Sequence, residues 1–255
     1  MRMTWQAASH PNPVGGQDFA LKGTVRRITG ALWLPERWDE ATPMVLLGHG
    51  ASGDRYQKPI PYLVERFTRE AGFVAVALDG PVHGLRQVGA GGREAFAEEM
   101  SRPQFLRDMT ADWMDTLQGL RQAEGIGNGP LGYYGPSMGT LFGLPLLATH
   151  EQIHAAALGL AGTTAAARHI AADLMTAARA VKQPVVFLMQ LEDELFPRDG
   201  YLELFDAIAA DDKRLHANPG LHPQIPMEEI DFCFEFLRRH LLGEAQRRII
   251  NPLSE

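Results

Sequence analysis

From residue 44 onward the chain alternates short apolar runs of strand length with amphipathic stretches of helical period. That alternation predicts an α/β fold built on a mostly parallel central sheet. Parallel neighbours are joined only by crossovers long enough to carry a helix, and those helices then cover both faces. Five runs read as strands, at 44–47, 73–78, 131–134, 155–160 and 185–191, with a weaker one at 213–217. Ahead of them an N-terminal hairpin is expected at 23–28 and 31–34, turning at Thr29-Gly30, for a total of about eight strands. Residues 1–20, with Pro11, Pro13, Gly15 and Gly16, read as irregular.

Helical patterns fall between the strands. The clearest runs over 101–123, with Phe105, Met109, Trp113, Leu117 and Leu120 on one face and Ser101 with Gln104 forming a capping box. The last, over 227–242, places Ile230, Phe234, Leu237 and Leu241 in register, and 164–180 is an alanine-rich helix. There is no internal repeat, and 255 residues favour one large domain over two, spanning 1–255. The segment 84–100 fits no repeating unit. Gly89-Ala-Gly-Gly92 followed by a short amphipathic stretch reads either as a small lid or pocket wall or as a surface excursion.

A hydrophobic content of 45% with 22% charged residues is ordinary for a globular chain able to bury a sizeable core. The net charge of −7 argues against nucleic acid or an anionic membrane as the main partner. Cys233 is the one cysteine, which excludes an internal disulfide framework and any multi-cysteine metal site. It sits in an apolar helical stretch and reads as core filler. No apolar run has signal-peptide or membrane-spanning length, so a cytoplasmic location is expected.

At Leu131-Gly-Tyr-Tyr-Gly-Pro-Ser-Met-Gly139 an apolar run ends in Gly135-x-Ser137-x-Gly139 and a helix-forming run follows at once. This is the pattern of a nucleophile elbow, a strand-to-helix turn so sharp that Ser137 stands exposed on strained backbone. A serine hydroxyl needs a base, and the base needs a carboxylate to hold its tautomer. In this elbow class the chain order is serine, then acid, then histidine. After the 185–191 run comes Glu192-Asp193-Glu194-Leu-Phe196-Pro197. Asp193 is the preferred acid, with Glu192 and Glu194 as its competitors. His222 lies in a Pro/Gly loop before the last helix and is the expected base, whereas His216 reads as structural and His240 as a cation at a helix end.

The run Gly48-His49-Gly50-Ala51-Ser52-Gly53 has two readings. It matches the dinucleotide fingerprint, with Asp79 at the end of the next strand as a ribose carboxylate. Against that, the prolines at 59 and 61 delay the following helix, so its N-terminus would not meet a pyrophosphate in the glycine turn. The alternative is an oxyanion loop, in which the amides of Ala51 and Met138 stabilise a negative oxygen. His49, His83 and Phe196 are the expected substrate contacts, with His83 shaping the pocket edge.

Taken together, Gly48-His49-Gly50, Asp79-Gly-Pro-Val82-His83-Gly84, Gly135-Pro-Ser137-Met-Gly139, Asp193 with Pro197, and Gly220-Leu-His222 resemble the α/β-hydrolase superfamily over about residues 20–242. The similarity is to its single-domain dienelactone-hydrolase-like and acyl-esterase branches. The resemblance implies an α/β-hydrolase fold without a large cap. It also implies a serine hydrolase that cleaves a carboxylic ester, thioester or lactone through an acyl-enzyme on Ser137. Neither a metal nor an organic cofactor is implied. The implied partner is a small-molecule acyl substrate; a homodimer is one option for the assembly.

The chain departs from the family in carrying serine where dienelactone hydrolases carry cysteine, and Val82 where glycine is usual. The pocket roof is then expected from 84–100 and 164–180. The competing functions are a cofactor-free perhydrolase or haloperoxidase using the same triad, an NAD(P)-dependent oxidoreductase using the Gly48–Gly53 loop, and a non-catalytic ligand binder.

Overall fold

The computed structural model describes residues 3–7 and 15–245. Nine strands form one sheet in the order β1-β2-β3-β5-β4-β6-β7-β8-β9. Strands β1 (Met3–Ala7), β2 (Gln17–Lys22) and β3 (Arg27–Trp33) run antiparallel, and β3 pairs antiparallel with β5 (Val74–Leu78). From β5 through β4 (Met44–Leu47), β6 (Leu131–Pro136), β7 (Ile153–Gly159), β8 (Val185–Gln190) and β9 (Lys213–Asn218) every pairing is parallel. The six runs expected as strands from residue 44 on are all present, each within two residues of its expected ends.

The N-terminal expectation needs correction. The chain turns between Lys22 and Arg27, not at Thr29-Gly30, which lie inside β3. Gly30 is a packing position rather than a turn. A Cβ there would sit 2.5 Å from the Phe19 ring and from the Ala77 carbonyl oxygen. Residues 3–7 and 17–20, expected to be irregular, lie in β1 and β2, while Pro11 and Pro13 lie outside the described residues.

Helices cover both faces. On one side α3 (Phe105–Glu124), α4 (Met138–Thr149), α5 (Ala171–Ala180) and α6 (Arg198–Ala207) pack over Phe105, Trp113, Leu141, Leu174 and Leu204. On the other, α1 (Ile60–Glu65) and α7 (Met227–Leu241) pack over Leu63, Val64, Ile230, Phe234 and Leu237. The helix α4 is apolar on all sides, as a helix wedged between sheet and neighbouring helices must be. The capping box expected at Ser101 does not form. The helix α3 starts at Phe105, and the Ser101 hydroxyl donates instead to the Glu98 carbonyl that ends α2 (Gly92–Met100). No helix of the described residues is long and apolar enough to cross a membrane.

A buried ion cluster ties the antiparallel strands to the parallel ones. Arg55 donates to both oxygens of Asp18 on β2 (3.1 and 2.7 Å) and to both oxygens of Asp79 after β5 (3.0 and 2.9 Å), and all three residues are at most 1% exposed. Thr29 Oγ1 donates to Asp79 (2.6 Å) and the Tyr56 hydroxyl to Asp18 (2.6 Å). The two flanking carboxylates keep the Arg55 guanidinium protonated more firmly than usual, against the cost of burial. The cluster pins residues 54–57 of the loop that leaves β4.

Candidate active site

Open parallel sheets place their sites at the carboxyl ends of strands. Here the loops leaving β4, β6, β8 and β9 converge on one cleft of about 910 Å³. Ser137 joins β6 to α4 with φ 56° and ψ −120°, a left-handed conformation that costs energy for a residue with a side chain. Neighbouring contacts force it. The Ser137 amide donates to the Gly159 carbonyl (2.8 Å), the Tyr133 hydroxyl donates to the Gly139 carbonyl (2.6 Å), and the Thr140 hydroxyl accepts from the Gly159 amide (2.8 Å). Gly139 packs closely on the glycine loop: a Cβ there would lie 3.3 Å from the backbone of Gly48, tighter than an ordinary contact.

His222 reaches this serine from the loop after β9. Its Nε2 lies 2.9 Å from Ser137 Oγ and its Nδ1 lies 2.7 Å from Asp193 Oδ2. Asp193 accepts four hydrogen bonds: from His222, from the Tyr201 hydroxyl, and from the amides of Leu195 (2.7 Å) and Phe196 (2.9 Å). Burial alone would raise its pKa; these donors outweigh burial and hold it below the ordinary carboxylate value. An ionised Asp193 accepts only, so Nδ1 carries the imidazole proton and Nε2 is left to accept from the Ser137 hydroxyl.

Glu192 and Glu194, the competing acids, hold the same histidine loop from either side. Glu194 accepts from the His222 amide (2.9 Å) and Glu192 from the Gly220 amide. All three consecutive carboxylates therefore engage residues 220–222, and Asp193 alone bonds the imidazole ring.

The glycine loop is organised around the serine. The Gly48 amide donates to Tyr134 at the end of β6 (2.7 Å), and a Cβ on Gly50 would lie 3.8 Å from Ser137 Cβ. The helix α1 begins at Ile60, seven residues beyond Gly53, so no helix N-terminus opens in the glycine turn as the nucleotide reading requires. Asp79, the ribose candidate, is spent on Arg55. Ala51 lines the cleft, and Met138 is the first residue of α4. Among the described residues neither amide has a protein acceptor, which leaves both donors available.

His49 and His83 line the cleft, but their ring nitrogens face protein. His49 Nδ1 donates to the Gly50 carbonyl (2.7 Å) and its Nε2 accepts from the Gly80 amide (2.8 Å). Burial, reinforced by His83, lowers its pKa to about 4 and keeps it neutral. His83 Nε2 lies 3.0 Å from the Ala51 carbonyl oxygen and its Nδ1 2.6 Å from that of Pro81. In both rings the two nitrogens are engaged by backbone groups of the loops. Val82 keeps the left-handed turn (φ 58°) that its usual glycine would adopt freely.

Phe196 does not line the cleft. Its amide is drawn onto Asp193, and the ring packs behind His222 (5.7 Å between centroids) and against Tyr201 (6.2 Å). Tyr201, Thr140 and Gln57 were not legible as site residues, because each acts through a hydrogen bond that no local motif encodes.

No protein-family model and no curated protein matches the chain. Among solved structures it is similar to a cold-adapted esterase from an Arctic intertidal metagenomic library, with 30% identity over 93% of this chain and 99% of that one and a TM-score of 0.81. The chain belongs to the α/β-hydrolase superfamily. Two further solved structures share the fold at lower identity: an acetyl xylan esterase from Paenibacillus sp. R4 (14%, covering 93% of this chain and 88% of that one, TM-score 0.71) and an esterase from Pyrococcus furiosus (15%, 89% and 93%, TM-score 0.66). These comparisons give the superfamily and not the dienelactone-hydrolase-like branch within it.

The roof of this α/β-hydrolase cleft differs from expectation in one part. Gly84, Leu85, Gln87 and Gly92 line it, so the 84–100 segment does supply a wall. No residue of 164–180 does. That segment is a 3₁₀ turn (Ala165–Ile170) followed by α5, and α5 packs against α4 and α6 on the far side of the sheet edge. Ile60, Leu160, Leu195, Ile225, Met227 and Ile230 give the cleft an apolar wall, and Asp54, Lys58 and Glu194 bring charged groups to it.

Proposed function

We propose that the chain is a serine esterase that cleaves a small carboxylic ester, thioester or lactone through an acyl-enzyme on Ser137. The observation that carries this reading is the continuous hydrogen-bonded line from Ser137 Oγ through His222 to Asp193, set on a strained elbow at the floor of a cleft. Membership of a superfamily whose similar structures are esterases supports the same reaction class.

In this reading Ser137 Oγ attacks the acyl carbon while His222 Nε2 takes its proton, and Asp193 stabilises the imidazolium that forms. The carbonyl oxygen becomes an oxyanion held by the Ala51 and Met138 amides. Collapse expels the alcohol or thiol, which receives the proton from His222. Water, deprotonated by the same nitrogen, then attacks the acyl-enzyme; carboxylic acid leaves and Ser137 is restored. A lactone differs only in that the leaving oxygen remains tethered. Every proton is carried by His222 and every negative charge is met by fixed donors, so the reaction runs on protein groups and water.

Ser137→Ala should lower turnover of a short p-nitrophenyl ester by about 10⁴-fold or more. Wild-type-like turnover in that variant would overturn the assignment.

A further inference from the structure

An oxyanion hole works only if its donors are already in place when charge develops. The Ala51 amide belongs to a loop with no sheet or helix ladder of its own, so something else must hold it. We infer that Gln57 is the positioning residue of this loop: its side-chain amide fixes the Gly50 amide and the Ser52 hydroxyl on either side of Ala51, and so leaves Ala51 as the donor free to meet the substrate. This inference rests on the serine-esterase reading of the site.

The contacts form a strut. Gln57 Oε1 accepts from the Gly50 amide (2.8 Å), and Gln57 Nε2 donates to Ser52 Oγ (2.7 Å). The base of the strut is itself fixed. The Gln57 amide donates to the Asp54 carbonyl (2.8 Å), its carbonyl accepts from Ile60 at the start of α1 (2.8 Å), and Arg55, two residues earlier, is locked between Asp18 and Asp79. A second, independent observation concerns Gly53. A Cβ at that position would lie 2.7 Å from Cβ, Cγ and Cδ of Gln57, so the last glycine of the run makes room for this side chain. A Cβ on Gly50 would lie 3.4 Å from Gln57 Oε1 and 3.8 Å from Ser137 Cβ, which puts the strut and the nucleophile against the same glycine. His83 completes the support at the Ala51 carbonyl (3.0 Å). Without Gln57 the Gly50 amide and the Ser52 hydroxyl lose their side-chain partner, and the Ala51 amide is free to drift.

The test compares Gln57→Met, which keeps length but cannot hydrogen-bond, with Gln57→Glu, which restores an acceptor for both groups. For each, kcat, KM and the Ki of an alkyl boronic acid, a tetrahedral mimic formed on Ser137, are measured. The expected result for Gln57→Met is a fall in kcat of about 10–100-fold and a parallel rise in boronate Ki, with KM within about threefold of wild type. Gln57→Glu should recover part of the loss. Ser52→Ala, at an exposed position, should show the same signature at a few-fold and serves if Gln57→Met does not fold.

Unchanged kcat and Ki in Gln57→Met, or a rise in KM alone, would overturn the inference. In the latter case Gln57 is a substrate contact, which its place in the cleft wall also permits. Failure of the underlying reading looks different: the boronate would then not bind wild-type protein, or Ser137→Ala would remain active.

Discussion

His49 is neutral because of where it sits, and that makes the stability of the oxyanion loop depend on pH. Protonating its Nε2 would set an N–H against the Gly80 N–H from which it now accepts (2.8 Å), at a buried position. The pKa falls from 6.5 to about 4. Between those values the unfolded chain binds a proton that the folded chain does not, so stability rises with pH across the window. The contribution is complete above pH 6.5 and is lost as pH falls toward 4. The whole depression is worth about 3 kcal/mol, and lowering the pH from 7.5 to 5 should remove about 2 kcal/mol of it.

Asp193 and Glu194 are depressed too, so their contribution fades as pH falls through the ordinary carboxylate range and, for the most part, below the pH 5–8 series. His150, also lowered by burial, adds a term of the same sign. Urea unfolding of wild type and His49→Gln at half-unit steps from pH 5 to 8 measures the effect. The wild-type slope should be positive, and the variant should lose most of it. An equal slope in both proteins would refute the reasoning.

Two further outcomes follow from buried contacts. Arg55→Met leaves Asp18 and Asp79 buried without their cation and should cost about 3–5 kcal/mol in chemical denaturation; a loss under 1 kcal/mol would mean that water or another donor replaces it. Tyr201→Phe removes one donor from Asp193 Oδ2 and should lower kcat by about tenfold with little change in KM; an unchanged kcat would show that the remaining donors suffice to orient the acid.

Strands β4 to β8 were legible in the sequence because they are largely buried on both faces and read as apolar runs, such as Met44–Leu47 and 185–189, whereas the half-buried edge strand β9 gave only a weak signal. The antiparallel edge was not. Gly30 resembles a turn residue in a sequence, yet it is a glycine because Phe19 and Ala77 approach from neighbouring strands, a contact that no local pattern encodes.

The site divides in the same way. Ser137 stood out because the elbow imposes steric demands on its own neighbours, and Asp193 and His222 followed from chain order. Among Glu192, Asp193 and Glu194 the sequence favours Asp193 for its place in the turn leaving the strand; all three reach the same loop, and the path of the backbone sets Asp193 alone against the ring. Gln57 and Tyr201 were invisible for a similar reason. Phe196 was misassigned because the two amides drawn onto Asp193 turn its ring behind His222 rather than into the cleft.

The central claim is that Ser137 Oγ becomes the acyl ester. Its most direct test is intact-protein and peptide mass spectrometry on enzyme rapidly acid-quenched during turnover of a p-nitrophenyl ester, with a fluorophosphonate reaction in parallel. One acyl or phosphonyl group per chain is expected, mapped to the peptide containing Ser137 and absent from Ser137→Ala. Ester turnover with the adduct on another residue, or with Ser137 unlabelled by the fluorophosphonate, would contradict it.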